Sequence, residues 1–137
     1  MAYSGPFEDR LQIRELIETY NDAVFRRDVD AWQNTWAEES EWHIFGQVIK
    51  GRSAIVSMWD KAMDNFSYVG FFALPGAINV TGDTGKASVY VRETIIQDGK
   101  LRRIEGKYTD ELVKQDGVWR FTSRSYQVHF DSNEHTE

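Results

Sequence analysis

The stretch that decides the fold is IRELIETYNDAVFRRDVDAWQNTWAEESEWHI, residues 13–44. Its first half has the apolar spacing of an amphipathic helix, which we predict over residues 9–26. The apolar positions of this helix are Ile13, Leu16, Ile17, Tyr20 and Val24. Asp28 is placed to cap a second, short helix, because a carboxylate at this point can accept the free amides of the first turn. Trp32 and Trp36 are one turn apart, so we expect them to share a face of that helix.

The end of this stretch changes to the periodicity of a strand. In residues 41–49, EWHIFGQVI, alternation places Trp42 on one side and His43 on the other. Ser53 is then expected to cap a third helix.

The rest of the chain has the pattern of strands separated by turns. Pro75-Gly76 ends one strand, and Asp98-Gly99 and Asp116-Gly117 are hairpin signals. Residues 118–130 form the last strand, and the polar tail 131–137 is expected to fray. Helices followed by an antiparallel meander predict an α+β domain. Three helices on one face of a long, curved sheet form a cone whose mouth is an apolar pocket.

Composition limits what the protein can be. The chain has 137 residues, an apolar fraction of 41% and a net charge of −6, which predicts one globular domain over residues 1–137. The sequence has no basic patch that would bind nucleic acid, and no apolar run long enough to cross a membrane. The chain contains no cysteine, and its N-terminus lacks the apolar core of a signal peptide, so we expect a cytoplasmic protein.

The chemically active residue types are few. The three histidines do not have the spacing of metal ligands, so neither a metal site nor another cofactor is expected. His43 alternates with Trp42 and is expected outside the pocket. Glu93 shares a strand face with apolar residues and could act as a general base there. We favour instead an ion pair of Glu93 with Arg92 or Arg103 on a neighbouring strand.

The opening stretch, together with GKYTDELVKQDGVWRF at residues 106–121, resembles the SnoaL-like branch of the NTF2-like superfamily. That branch includes polyketide cyclases, scytalone dehydratase and hexachlorocyclohexane dehydrochlorinase. The resemblance covers roughly residues 9–130. It rests on Trp36, Glu41-Trp42, the YTDE at 108–111 and the DGVW at 116–119. It implies a cystatin-like or NTF2-like cone of three N-terminal helices on a curved, mostly antiparallel sheet.

The resemblance also says where catalytic groups would lie. In the dehydratase and the dehydrochlorinase, an Asp at the end of the first helix orients a His inside the cone. These positions fall on Phe25 and on or next to Phe72, so the dyad is expected to be absent and the two rings to pack together. Arg124 matches an arginine near the leaving group, which would make Arg124, Tyr20 and Tyr108 the catalytic candidates. The alternative for Arg124 is a surface or interface residue.

The resemblance implies a small hydrophobic, aromatic or polycyclic ligand. The residues expected to bind it are Asn21, Phe25, Trp42, Tyr68, Phe72, Val89, Val91 and Tyr126, with Arg124 as the main fixed charge. A lyase or isomerase without the His-Asp dyad is the first hypothesis. A non-catalytic ligand-binding module and an assembly protein like a dioxygenase β-subunit are the alternatives. A homo-oligomer is expected, a trimer rather than a dimer, through an apolar outer sheet face that includes Phe45, Ile49, Tyr90 and neighbours of Ile96.

Overall fold

The computed structural model describes residues 2–134. The elements in chain order are β1 (Tyr3–Ser4), α1 (Phe7–Arg26), α2 (Val29–Gln33), β2 (Trp36–Ile44), β3 (Gln47–Lys50), α3 (Arg52–Met63), β4 (Tyr68–Thr81), β5 (Thr84–Gln97), β6 (Lys100–Gln115), β7 (Val118–Asp131) and a 3-10 helix (Ser132–Glu134). Among the described residues, no helix is both long and apolar enough to cross a membrane.

The strands form one mixed sheet with the order β1-β4-β5-β6-β7-β2-β3. The long strands β4 to β7 are an antiparallel meander, whereas β1 pairs with β4 and β2 pairs with β7 in parallel. Helix α1 packs on β4 and α3 packs on β2. The predicted α+β class, with three helices on a mostly antiparallel, curved and open sheet, is therefore confirmed.

Helix α1 buries one stripe against the sheet. Its buried residues are Ile13, Ile17, Tyr20, Ala23 and Val24, which have the predicted spacing. Arg27 takes a left-handed backbone conformation (φ 53°) and ends the helix. Asp28 then caps α2 by accepting a hydrogen bond from the Ala31 amide at 3.0 Å, as predicted.

Several predicted boundaries are wrong. Trp36 does not lie on α2 but begins β2, although its ring still packs on Trp32 with centroids 5.8 Å apart. Residues 41–49 are not one strand, because Phe45 and Gly46 adopt positive φ and turn the chain into β3. Helix α3 begins after Gly51, so Ser53 is not its cap.

Most turns of the meander lie where the turn residues of the sequence predict them. Both Asp-Gly pairs adopt positive φ at each position, which confirms the two predicted hairpins. The expected break at Pro75-Gly76 is instead a bulge within a continuous β4. Asp131, expected in a frayed tail, is buried at the end of β7, and residues 132–134 form the 3-10 helix. Residues 135–137 of that tail lie outside the described residues.

Gly106 gives a stability prediction. A Cβ there would lie 2.7 Å from Tyr126 Cζ and would also clash with the Gln127 carbonyl. Gly106→Ala should therefore lower the free energy of unfolding by about 1–3 kcal/mol, measured by urea denaturation. Gly70→Ala is the matched control, because its Cβ would meet only the exposed Tyr68 side chain. Equal stability of the two variants would contradict this prediction.

Candidate functional site

A cavity of about 230 Å³ lies between α1, α3 and the inner face of the sheet. Its wall is largely apolar and includes the aromatic residues Tyr20, Trp42, Trp59, Phe71 and Tyr108. Two charged residues, Glu93 and Arg102, also line it. The fold therefore places a carboxylate and a guanidinium in an otherwise apolar space.

Strand register brings Glu93 to the cavity. On β5 it follows the buried residues Val89 and Val91 on the same face of the strand. Across the sheet it lies between Phe71 of β4 and Ile104 of β6, both buried. A polar side chain thus occupies an inward position within an apolar row.

Glu93 has no hydrogen bond or salt bridge to any residue in the range 2–134. Burial raises the pKa of its carboxyl to about 7, and the charge of Arg102 only partly opposes this. The expected ion pair is wrong for a geometric reason: Arg92 points to the outer face, where its Nε donates to Glu105 at 3.0 Å. Glu93 is therefore an isolated carboxyl that titrates near neutrality.

Arg102, by contrast, is firmly paired. Its Nε and Nη2 donate to the two carboxylate oxygens of Asp131 at 3.1 and 2.6 Å. This bidentate pair anchors the end of β7 beside the cavity and holds the guanidinium in place. The cation at the cavity wall thus already has a counter-ion.

Two tyrosines, Tyr20 and Tyr108, line the same cavity. The indole Nε1 of Trp42 donates to Tyr108 Oη at 3.1 Å. Burial raises the pKa of Tyr20 to about 12 and that of Tyr108 well above its ordinary value, so both stay protonated. The negative charge of Glu93 adds to the rise of both pKa values.

Arg124 does not lie where the sequence placed it. It is 1% exposed, does not line the cavity, and donates from Nε and Nη2 to Asp110 at 2.8 and 3.0 Å. Its guanidinium carbon lies 4.0–4.5 Å from the ring centroids of Tyr20, Tyr108 and Phe121. Burial alone would lower its pKa, but the charge of Asp110 and its hydrogen bonds outweigh this and raise it. The expectation of Arg124 as the cavity's main fixed charge is wrong, because its charge is matched behind the cavity wall.

Phe25 and Phe72 pack together as expected, with their rings edge to face and centroids 5.2 Å apart. They do not line the cavity, however, because Phe25 is 37% exposed and Phe72 is 63% exposed. Strand alternation turns Phe71 inward instead, against the Tyr20 ring. The aromatic pair therefore lies on the outside of the molecule.

The other predicted site residues divide into those that line the cavity and those that do not. Of the residues expected to bind ligand, only Trp42 lines the cavity, together with the catalytic candidates Tyr20 and Tyr108. The residues that do not line it are Asn21, Tyr68, Val89, Val91 and Tyr126. Tyr68 is exposed, whereas Tyr126 packs on Tyr108 with ring centroids 4.7 Å apart. His43 lies outside the cavity, as expected, beside Glu41.

Sequence reasoning did not assign several residues of this region to the site, among them Trp59, Phe71, Arg102 and Asp110. Asp110 could have been found by parity, because it follows Tyr108 by two residues on β6 and faces Arg124 across the hairpin.

The sequence of residues 6–125 matches the model of the SnoaL-like domain. Comparison with curated protein sequences gives no match.

Solved structures of similar fold cover nearly the whole chain. A candidate scytalone dehydratase from Novosphingobium aromaticivorans has a TM-score of 0.84 at 16% identity, over 94% of this chain and 89% of that one. The type 2 hexachlorocyclohexane dehydrochlorinase LinA has a TM-score of 0.81 at 19% identity, over 90% of this chain and 87% of that one. A candidate dehydratase of the NTF2-like family from Streptomyces avermitilis has a TM-score of 0.81 at 19% identity, over 91% of this chain and 99% of that one. These likenesses confirm the predicted NTF2-like fold.

Proposed function

The chain belongs to the SnoaL-like domain family, and we propose that it is a lyase or isomerase acting on a small hydrophobic ring compound. The observation that carries this proposal is Glu93, an isolated carboxyl in an aromatic cavity with a pKa of about 7. An acid–base catalyst works best when its pKa lies near the working pH. The names of the dehydratase and dehydrochlorinase neighbours support this reaction class.

The proposed chemistry begins with proton transfer. The Glu93 carboxylate removes a proton from a carbon of the bound ring. In an isomerase, the protonated carboxyl returns this proton to a different carbon of the same molecule. In a lyase, a group on the adjacent carbon departs as the new double bond forms.

Glu93 replaces the His-Asp dyad of the resembled enzymes in this proposal. By the resemblance, the positions of the dyad fall on Phe25 and on or next to Phe72; Phe25 lies on the outside, and Phe71 rather than Phe72 faces the cavity. The cavity of about 230 Å³ is smaller than the roughly 300–1,000 Å³ typical of sites for drug-sized ligands. A single ring therefore fits better than a polycyclic compound.

The test is proton exchange with small cyclic ketones in D₂O, followed by NMR. Wild type should exchange the protons beside the carbonyl, with a rate that rises as Glu93 ionises and is half-maximal near pH 7. Glu93→Gln should lower this rate on the order of 10²–10⁴-fold. The matched control is Glu105→Gln, which removes a carboxylate from the outer face.

Two results would contradict the proposed chemistry. One is exchange that persists at the wild-type rate in Glu93→Gln. The other is binding of the ketones without exchange at any pH, which would establish the ligand-binding module instead.

We also propose that the protein is a homo-oligomer, a trimer rather than a dimer. The outer sheet face carries exposed apolar side chains, including Phe72, Leu74 at 67% exposure and Tyr90. A patch of this kind on a small domain marks an association surface. Light scattering should give a multiple of 15.9 kDa for wild type, and Leu74→Lys should shift it toward the monomer. A monomeric wild type at micromolar concentration would refute this proposal.

A further inference from the structure

Two carboxyl groups lie on either side of one residue on the inner face of the sheet. Ile104 of β6 pairs with Glu93 of β5 on one side and with Asp131 of β7 on the other. Directly paired residues of neighbouring strands point to the same face of a sheet, so all three side chains point inward. The two carboxyls are therefore placed alike with respect to β6.

Arg102 is within reach of both carboxyls. It precedes Ile104 by two residues on β6, so its side chain points to the same face, and it lines the cavity. The strand register makes it the diagonal neighbour of Glu93 and equally of Asp131. Diagonal neighbours lie about 7–8 Å apart, a distance that a long side chain can bridge. The sheet thus offers one guanidinium to two carboxylates.

Only one of the two carboxylates holds the guanidinium. Arg102 Nε and Nη2 donate to the two oxygens of Asp131 at 3.1 and 2.6 Å. Two parallel hydrogen bonds fix the plane and the direction of the guanidinium. Glu93, at the same diagonal spacing, has no salt bridge to any residue in the range 2–134. The engagement of Arg102 by Asp131 therefore leaves Glu93 without a paired cation.

We infer that Asp131 is a positioning residue for the cavity carboxyl: by occupying both donor groups of Arg102, it keeps this guanidinium from pairing with Glu93. The inference rests on the proposed function for the role of Glu93 in proton transfer. It goes beyond that function by assigning the residue that controls the protonation of Glu93. A carboxylate paired with an arginine is a weaker base, because the cation stabilises its charged form.

The other groups that face the cavity carboxyl do not provide this control. Burial raises the pKa of Tyr20 on α1 to about 12, and it also raises the pKa values of Tyr108 on β6 and Tyr126 on β7, so all three stay neutral. The cavity residues of α3, β2 and β4 carry no charge. Among residues 2–134, Arg102 is the only cation that lines this cavity. Glu134 acts on Arg102 in the same direction as its main partner does.

The test is a pH titration of the Glu93 carboxyl carbon by NMR, with the signal assigned by its absence from Glu93→Gln. The midpoint of wild type should be about 7. In Asp131→Asn it should fall to roughly 4–6, because the released Arg102 then pairs with Glu93. This variant retains the side-chain oxygen that accepts from the Asn133 amide at 3.0 Å. The double variant Asp131→Asn/Arg102→Gln should have a midpoint no lower than that of wild type.

Glu105→Gln is the matched control, because it also releases an arginine, but on the outer face of the sheet. Its Glu93 midpoint should equal that of wild type. An unchanged midpoint in Asp131→Asn, or an equal fall in the double variant, would overturn the inference. If Asp131→Asn does not fold, Arg102→Gln provides the test. Its midpoint should rise by less than about 1, and a larger rise would show that Arg102 already pairs with Glu93.

This titration separates the inference from the proposed function. A purely structural role of Asp131 would lower stability without moving the Glu93 midpoint. The measurement requires no substrate, so an unchanged midpoint leaves proton exchange by the wild type standing. A wild type without exchange likewise leaves the control of Glu93 by Asp131 standing. Where exchange occurs, its half-maximal pH should fall in Asp131→Asn together with the NMR midpoint.

Discussion

Asp110→Ala should lower the free energy of unfolding by about 3–5 kcal/mol. Asp110 is 0% exposed and accepts both hydrogen bonds of the Arg124 guanidinium. Its removal leaves a cation buried among aromatic rings without a counter-ion. The contacts between the guanidinium and the rings do not offset the lost ion pair. Equilibrium unfolding in urea measures the effect directly.

Two further variants make this prediction specific. The double variant Asp110→Leu/Arg124→Met removes both charges at similar volume, so it should be more stable than Asp110→Ala. Glu105→Gln weakens the exposed pair with Arg92 and should cost less than about 1 kcal/mol. A loss for Asp110→Ala as small as that of Glu105→Gln would show that Arg124 reaches solvent.

Glu93→Gln should make the protein more stable than wild type above pH 7, by about 2–3 kcal/mol. The folded pKa of Glu93 is raised from 4.5 to about 7. Below pH 4.5 both the folded and the unfolded carboxyl hold a proton, so the raised pKa has no effect. Between these values the folded state holds the proton more tightly, and stability falls as the pH rises. Glutamine does not titrate, so the free energy of unfolding of the variant does not fall with pH for this reason.

The measurement is the difference between the urea midpoints of Glu93→Gln and wild type across this pH range. The difference cancels the contributions of other titrating groups, and it should be near zero at acid pH and level off above pH 7. Parallel midpoint curves would mean that Glu93 is solvated in the folded state. A variant that gains stability and loses proton exchange would show that the carboxyl is kept for function at a cost in stability.

The elements of the fold were predictable wherever local chemistry determines them. The α1 stripe, the Asp28 cap and the two Asp-Gly hairpins all depend on residues close together in sequence. The errors arose where tertiary pairing overrides the local pattern. Trp36 has helical spacing from Trp32, but its backbone is drawn into β2 by pairing with Phe121 of β7.

The cavity was predictable only in part, for a related reason. Tyr20 and Trp42 follow from helix and strand periodicity and Tyr108 was implied by the family resemblance, whereas the partner of Arg124 depends on the register between β6 and β7. Glu93 was recognised as a possible base, but the outward direction of Arg92 had to come from the structure. Phe72 was misplaced because alternation along β4 turns the neighbouring Phe71 inward.

The tryptophans around the cavity give the protein an optical signature. Trp32 and Trp59 stack with centroids 4.4 Å apart and planes 8° from parallel, and Trp32 also contacts Trp36 and Trp42. Indoles this close share their excited states, so the cluster should give an intense exciton couplet in circular dichroism that disappears on unfolding. Trp42 and Trp59 also line the cavity. Entry of any aromatic molecule should therefore change the emission of the whole cluster, which makes the protein its own fluorescent sensor for screening unlabelled compounds.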